Sequence, residues 1–230
     1  MVVNEIITVI IAIAIGYLLG SIPSAYIAVR LITGKDIRQV GGGNVGTRNA
    51  FQQAGRGAGI AVGIFDVIKG AAAVAIAQWL LNIPFGTITT AQYSLGAPET
   101  FVMLAGVAAI AGHIWSIYLK FTGGNGLATT IGVLAFLMPT ELLIALAITL
   151  IFVAITRNPV LSINIGLISV PLSAWLLEKS GVLVTFSLII LLILGLHFLP
   201  TLMTAVAEAG SKQNLVNELL RRDKYKRGER

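Results

Sequence analysis

Long apolar runs separated by short polar stretches dominate this chain, and the runs are too long for the helices of an ordinary soluble core. A hydrocarbon layer of about 30 Å is crossed by roughly 20 helical residues. Five runs fit that length, at positions 6–29, 60–81, 101–119, 161–177 and 182–203. A sixth, 126–155, would be about 45 Å long as one helix at 1.5 Å per residue, and Pro139, Thr140 and Glu141 interrupt it. Taken as one span it gives six crossings and puts Arg157 opposite the first basic loop. Taken as two it gives seven, with every basic cluster on one side. The expected fold is therefore all-α and polytopic, with seven transmembrane helices, the N-terminus outside and the C-terminus cytoplasmic. The piece 127–138 spans only about 18 Å as a helix, so it is tilted, re-entrant or buried among its neighbours.

Charge placement sets the orientation. All but two of the 16 Lys and Arg lie in Arg30 to Arg56, at Lys120, at Arg157 or in the tail from Lys212 to Arg230. The exceptions are Lys69, inside an apolar run, and Lys179, beside Glu178. Short basic loops favour the cytoplasmic side, and the outer connections then carry Glu5, Glu99, Glu141 and Glu178. The expected organisation is one membrane domain over 1–210, with cytoplasmic glycine-rich loops at 30–57 and 120–126, and a basic cytoplasmic tail over 211–230. In that tail Leu215, Leu219 and Leu220 among bases suit an amphipathic helix on anionic lipid.

Composition agrees, since 56% of the 230 residues are hydrophobic and 11% charged, with a mean hydropathy of +0.89. One soluble core of this size cannot hide that much apolar surface. The net charge of +6 sits in loops and a tail rather than along one face of a soluble domain. Lipid headgroups or a phosphorylated substrate are the expected partners, not nucleic acid. The absence of cysteine excludes disulfides and thiolate metal sites. No metal-ligand cluster or cofactor motif is visible, so no metal or cofactor is expected. No basic n-region precedes the first apolar run, which is longer than a signal-peptide core and should stay in the membrane.

The chemistry-bearing residues gather on the expected inner face. Gly20-Ser21-Ile22-Pro23-Ser24-Ala25-Tyr26 interrupts the first span. This is either a kink with small packing residues or a break whose freed backbone groups line a cavity. The run Gly41-Gly42-Gly43-Asn44-Val45-Gly46-Thr47-Arg48-Asn49, followed by Gly55-Arg56-Gly57, can turn backbone N–H groups into an anion nest, with Arg38, Arg48 and Arg56 supplying charge. The alternative is a flexible connector. Neither a dinucleotide fingerprint nor a Walker lysine follows. Beyond His113 and Lys120, Phe121-Thr122-Gly123-Gly124-Asn125-Gly126 opens the next helix, another arrangement that favours an anion. His113 is either a hydrogen-bonded packing histidine or an orienting group or general base. His197, among apolar residues, has the structural reading. Asp66 and Lys69 share a helical face as a structural ion pair or as the wall of a substrate site. Asn158, Ser162 and Asn164, near Arg157, either face the same cavity or bond between helices.

Taken in order, Gly20-Ser-Ile-Pro23, Asp36-Ile-Arg38, Gly41-Gly-Gly-Asn44-Val-Gly46 with Asn49, Asp66 and Lys69, Gly112-His113, and Leu119-Lys-Phe-Thr-Gly123-Gly-Asn-Gly126-Leu-Ala-Thr129 carry a resemblance. Across roughly residues 15 to 135 the chain resembles the bacterial membrane family of acyl-phosphate:glycerol-3-phosphate acyltransferases. The remainder is similar mainly in hydropathy and in a short basic tail containing Asn214.

That resemblance implies transfer of a long-chain acyl group from acyl phosphate to the 1-hydroxyl of glycerol 3-phosphate, giving lysophosphatidate, at the cytoplasmic face of a bacterial inner membrane. It makes His113 and Asn44 the candidate catalytic residues. Arg38, Gly41, Gly43, Arg48, Asn49 and Lys69, with Gly123, Gly124, Asn125 and Gly126 of the second loop, become candidates for holding phosphate. The chain departs from the family pattern at Gly42, where serine is usual, near Gln52 (arginine), at Asn125 (lysine) and near Ser211 (histidine). A non-catalytic lipid- or acyl-phosphate-binding relative is the alternative these departures leave open. A small anion transporter would favour paired broken helices and internal repeats, and no repeat is apparent.

Overall fold

The structure, a computed structural model, describes residues 3–85, 97–177 and 179–209. The tail 211–230, with Ser211 and Asn214, and Glu178 lie outside the described residues. Among the described residues there are α-helices and short 3₁₀ turns and no strand. The helices are α1 (Val3–Ser21), α2 (Ser24–Thr33), α3 (Thr47–Ala54), α4 (Arg56–Leu80), α5 (Pro98–Ile114), α6 (Leu127–Leu137), α7 (Pro139–Thr156), α8 (Pro159–Leu176) and α9 (Gly181–Ala209).

Prolines and glycines set most of the boundaries. Pro23 has no N–H and separates α1 from α2. Pro139 and Pro159 occupy first-turn positions, where a missing N–H costs nothing. The run 126–155 is divided where its sequence predicts, because Met138 leaves the helical region (φ −143°, ψ 58°) and Pro139 starts a new helix. Two differences from expectation bear on the site. The fifth helix stops at Ile114 instead of 119, since Trp115 turns out of the helix and a 3₁₀ turn, Ile117–Leu119, follows. The stretch 30–57, expected as loop, contains α3, whose Asn49 and Ala50 are buried beneath it.

Five segments are long and apolar enough to cross a membrane: Asn4–Thr33, Arg56–Leu80, Pro98–Leu119, Pro139–Thr156 and Gly181–Pro200. Leu127–Leu137 and Leu161–Leu176 are shorter apolar helices. Small residues let the helices meet backbone to backbone. A Cβ added at Gly16 or Gly20 of α1 would strike the carbonyls of Ala105 or Ala109 of α5, and one at Gly112 would strike α1 at Tyr17 and Ser21. Gly70 and Gly132 join α4 to α6 in the same way, and Gly166 seats α8 on α7. Such contacts carry helix association where surrounding lipid is as apolar as leucine. Ile10, Trp79, Leu150 and Ile155 face outward, each more than half exposed, as lipid-facing side chains would be. A second, smaller core of Ala25, Val29, Ile37, Val45, Ala50, Val62 and Leu119 lies beneath the two glycine loops and brings them to the same end of the bundle.

Candidate active site

The site begins as a defect in a helix. Between α1 and α2 the helical ladder is interrupted, and the Ser21 and Ile22 carbonyls take side-chain donors. Ser116 Oγ donates to the Ser21 carbonyl at 2.6 Å, and Lys69 Nζ donates at 2.9 Å to the Ile22 carbonyl, which also accepts from the Ser24 N–H at 3.1 Å. In an apolar surround an unpartnered carbonyl costs several kcal/mol, so both donors stabilise the break. Lys69 also pairs with Asp66 Oδ1 at 2.8 Å, and Ser24 Oγ donates to the same oxygen at 2.7 Å. Asp66 and Lys69 are almost fully buried, where charges persist only when paired and hydrogen-bonded. The pair expected from their spacing is present, and it is tied to the break.

His113 stands beside it. Its Nδ1 lies 3.1 Å from Thr129 Oγ1 and 3.7 Å from Asp66 Oδ1. Its carbonyl accepts from the Gly124 N–H at 3.0 Å. A Cβ on Gly124 would collide with His113 Nε2 and with the Val45 carbonyl. Only glycine therefore allows the second loop to lie against the imidazole and the first loop together. Within that loop Lys120 (φ 55°) and Phe121 (φ 62°) are consecutive left-handed residues, a sparsely populated conformation. The Phe121 N–H, donating to the Ser116 carbonyl at 2.7 Å, helps hold them.

The first loop is organised by Asn49. Its Nδ2 lies 3.1 Å from each of the carbonyls of Ile37, Val40 and Asn44. Gly41 (φ 61°) and Gly43 (φ 70°) supply the left-handed turns between them. Arg38 forks onto Asp36, with Nη2 2.7 Å from Oδ2, and lies over the Tyr26 ring. Its hydrogen bonds hold the Asp36 carboxyl down to about 2, and the same side-chain bond raises Arg38.

A small, partly open pocket lies where these parts meet, walled by Ser21 to Ser24 of the break, Lys69, His113 and Ser116, with Val45, Leu119 and Gly123. His113, Lys69 and Gly123 thus line one pocket, and Gly124 lies against His113. Arg38, Gly41, Gly43, Asn44, Arg48 and Asn49 form the adjoining first loop and α3 instead of the wall. Asn125 and Gly126 lead into α6. Asn158 caps α8 by accepting from the Leu161 N–H, and Ser162 bonds back to the Asn158 carbonyl, so this pair serves its own helix corner. His197 packs edge-on against Trp115 and Phe198. Sequence reasoning did not single out Ser116 or assign a role to Thr129. A serine after tryptophan carries no signal, while Thr129 sits three residues beyond the glycine that opens a helix, a position that can be checked.

The family model described as glycerol-3-phosphate acyltransferase matches residues 10–202. The chain belongs to the glycerol-3-phosphate acyltransferase family. It is 41% identical over 207 residues to glycerol-3-phosphate acyltransferase 1 of Dehalococcoides mccartyi, covering 88% of this chain and 93% of that relative. It is 39% identical over 172 residues to the glycerol-3-phosphate acyltransferase of Trichormus variabilis, covering 73% and 75%. Its fold is similar to the crystal structure of PlsY, an integral membrane glycerol 3-phosphate acyltransferase, in the glycerol 3-phosphate form. The TM-score is 0.72 at 24% identity, covering 89% of this chain and 93% of PlsY. The chain is a multi-pass membrane protein of that fold.

Proposed function

We propose that this acyltransferase-family protein moves a fatty acyl group from acyl phosphate to the 1-hydroxyl of glycerol 3-phosphate, giving lysophosphatidate and inorganic phosphate. The observation that carries the reading is the meeting of two glycine loops and a buried histidine at a helix break, in a chain two-fifths identical to named acyltransferases over most of its length. Both substrates are phosphorylated, and backbone N–H groups of glycine loops are suited to phosphate. Acyl phosphate is already activated, so no serine or cysteine nucleophile is needed. The hydroxyl oxygen forms a bond to the acyl carbon, the acyl C–O bond to phosphate breaks, and the hydroxyl proton leaves on inorganic phosphate in the overall balance. The protein's work is to align the reactants and to counter their charge.

In this reading Gly41, Gly43, Asn44 and Arg48 surround one phosphate, with Asn49 and Arg38 shaping the loop. Gly123, Gly124, Asn125 and Gly126 form the second anion loop, Lys69 is a wall of the site, and His113 orients or deprotonates the acceptor. The site faces the cytoplasm of a bacterial inner membrane in a seven-span domain of residues 1–210, with the basic tail 211–230 on the same side. The neutral residues Gly42, Gln52 and Asn125 favour a second reading, a lipid- or acyl-phosphate-binding relative without turnover. The deciding experiment supplies purified protein with acyl phosphate and glycerol 3-phosphate and follows phosphate release and lysophosphatidate. Saturable binding without turnover on any alcohol acceptor would select the second reading.

A further inference from the structure

The buried neighbours of His113 determine which of its nitrogens carries the proton. Thr129 is fully buried, and its hydroxyl makes its one hydrogen bond among the described residues to His113 Nδ1, at 3.1 Å. Its neighbour Thr130 behaves as helical threonines often do, donating back to the Gly126 carbonyl at 2.9 Å. Thr129 has no such carbonyl. A buried hydroxyl proton requires an acceptor, and Nδ1 supplies one only as the bare nitrogen of a neutral ring. The opposite assignment, a proton on Nδ1, would leave the Thr129 proton without an acceptor. It would also gain nothing from Asp66, whose Oδ1 is 3.7 Å away, beyond hydrogen-bond length, and already accepts from Ser24 and Lys69.

We propose that Thr129 is a positioning residue of this site: its hydroxyl donates to His113 Nδ1, fixing the ring in the tautomer whose Nε2–H is a hydrogen-bond donor to a substrate oxygen. The Nε2 edge lies along Gly124, where the second loop has no side chain to cover it, and His113 lines the pocket. A nitrogen that already carries its proton cannot remove one from the acceptor hydroxyl. His113 therefore orients and polarises, and the hydroxyl proton is carried away on the departing phosphate. This rests on the proposed acyl transfer for the identity of the substrate oxygen, but the tautomer itself does not.

The test is nitrogen NMR of the full-length protein labelled with ¹⁵N-histidine in detergent micelles at neutral pH, with His197 assigned by His197→Gln. The expected spectrum shows His113 with a protonated Nε2 and an unprotonated Nδ1, unchanged in Thr129→Ser. Thr129→Val, which keeps the shape and removes the hydroxyl, should give a mixture of tautomers. It should also lower kcat roughly 10–100-fold, taking as a guide the loss on removing the outer hydrogen-bond partner of a metal-bound imidazole, with KM within about twofold. Thr129→Ser should restore kcat. A proton on Nδ1 in the wild-type protein, or a Thr129→Val protein with wild-type spectrum and kcat, overturns the proposal. If the wild-type protein turns nothing over, the acyl-transfer reading fails, and the nitrogen spectrum still decides the role of Thr129.

Discussion

Asp66→Asn isolates the pair that holds the helix break. At 2.8 Å, with an effective dielectric near 20, the Asp66–Lys69 attraction is about 6 kcal/mol. The substitution removes it while keeping the side chain's shape and an oxygen for Ser24 Oγ. Lys69 keeps its bond to the Ile22 carbonyl at 2.9 Å but becomes a buried cation without a counter-charge. Breaking such a pair from one side costs about 3–5 kcal/mol. For a chain of 230 residues that lowers the melting temperature by about 6–20 °C. Tryptophan fluorescence from Trp79, Trp115 and Trp175 reports the melt in detergent. Lys69→Met should cost a similar amount, because it leaves the carboxylate buried. The double variant Asp66→Leu with Lys69→Met should regain the part of the loss due to an unpaired buried charge, since replacing both charges by apolar groups removes that penalty, but not the bonds of Lys69 to the Ile22 carbonyl and of Ser24 to the carboxylate. A melt of Asp66→Asn within 2 °C of wild type, or a double variant as unstable as the sum of the singles, would refute the account of the break as a site held by buried charge.

Four further outcomes are expected. In the cysteine-free background, cysteines at Gln39 and Thr122 should be shielded from an impermeant thiol reagent in intact cells and those at Phe85 and Gly181 should react; labelling of Thr122 from outside would end the seven-span topology. Arg48→Ala should weaken glycerol 3-phosphate binding by about 1.5–3 kcal/mol, the contribution of a charged hydrogen bond, measured by calorimetry on folded protein. Gly124→Ala should abolish binding, because its Cβ meets His113 Nε2 and the Val45 carbonyl, whereas Gly42→Ser, with open space at its Cβ, should bind and turn over at least as well as wild type. The Asp36 carboxyl, held down to about 2 by Arg38, should titrate there by carbon NMR and return toward 3.8 in Arg38→Gln; its small, solvent-screened contribution to loop stability is complete above about pH 4 and is lost as pH falls toward 2.

The features legible in the sequence are those fixed by one residue's own backbone chemistry. Pro139 divides the long apolar run whatever surrounds it, and Pro23 breaks the first span for the same reason. The glycines at 41, 43 and 126 take left-handed conformations that other residues adopt at a cost. The Asp66–Lys69 pair was visible because a three-residue spacing places both on one helical face. What those groups touch was not visible. Lys69 reaches a carbonyl 47 positions earlier, Ser116 one 95 positions earlier, and Thr129 a ring 16 positions away. Each of these contacts depends on how α1, α4, α5 and α6 approach one another, and a periodic pattern says only which face is buried. Arg38 and Asn49 show the converse: their types suggested anion binding, and in the fold Nε and Nη2 of Arg38 bond Asp36 while Asn49 Nδ2 sits among three loop carbonyls, contacts their types did not announce.

That converse also explains why so many polar groups in this apolar bundle converge on one helix break. A buried ion pair is weak evidence for stability, because desolvation offsets much of its attraction, and an apolar pair at positions 66 and 69 would pack α4 at less cost. The pair makes sense once the Ile22 carbonyl is considered. Non-helical backbone at membrane depth is tolerated only where protein or a water-filled cavity satisfies it, and Lys69 is the side-chain donor to that carbonyl, beside the Ser24 N–H at 3.1 Å, with Asp66 as its counter-charge and Ser24 Oγ bonding the carboxylate. The dependence runs from the break to the charges. A continuous helix through Ile22 and Pro23 would leave Lys69 without its carbonyl and would remove the wall that Ser21 to Ser24 give the pocket. The break, the ion pair and the pocket therefore form one unit, and a variant that heals the break should disrupt the pocket while leaving His113 and both glycine loops unchanged in sequence.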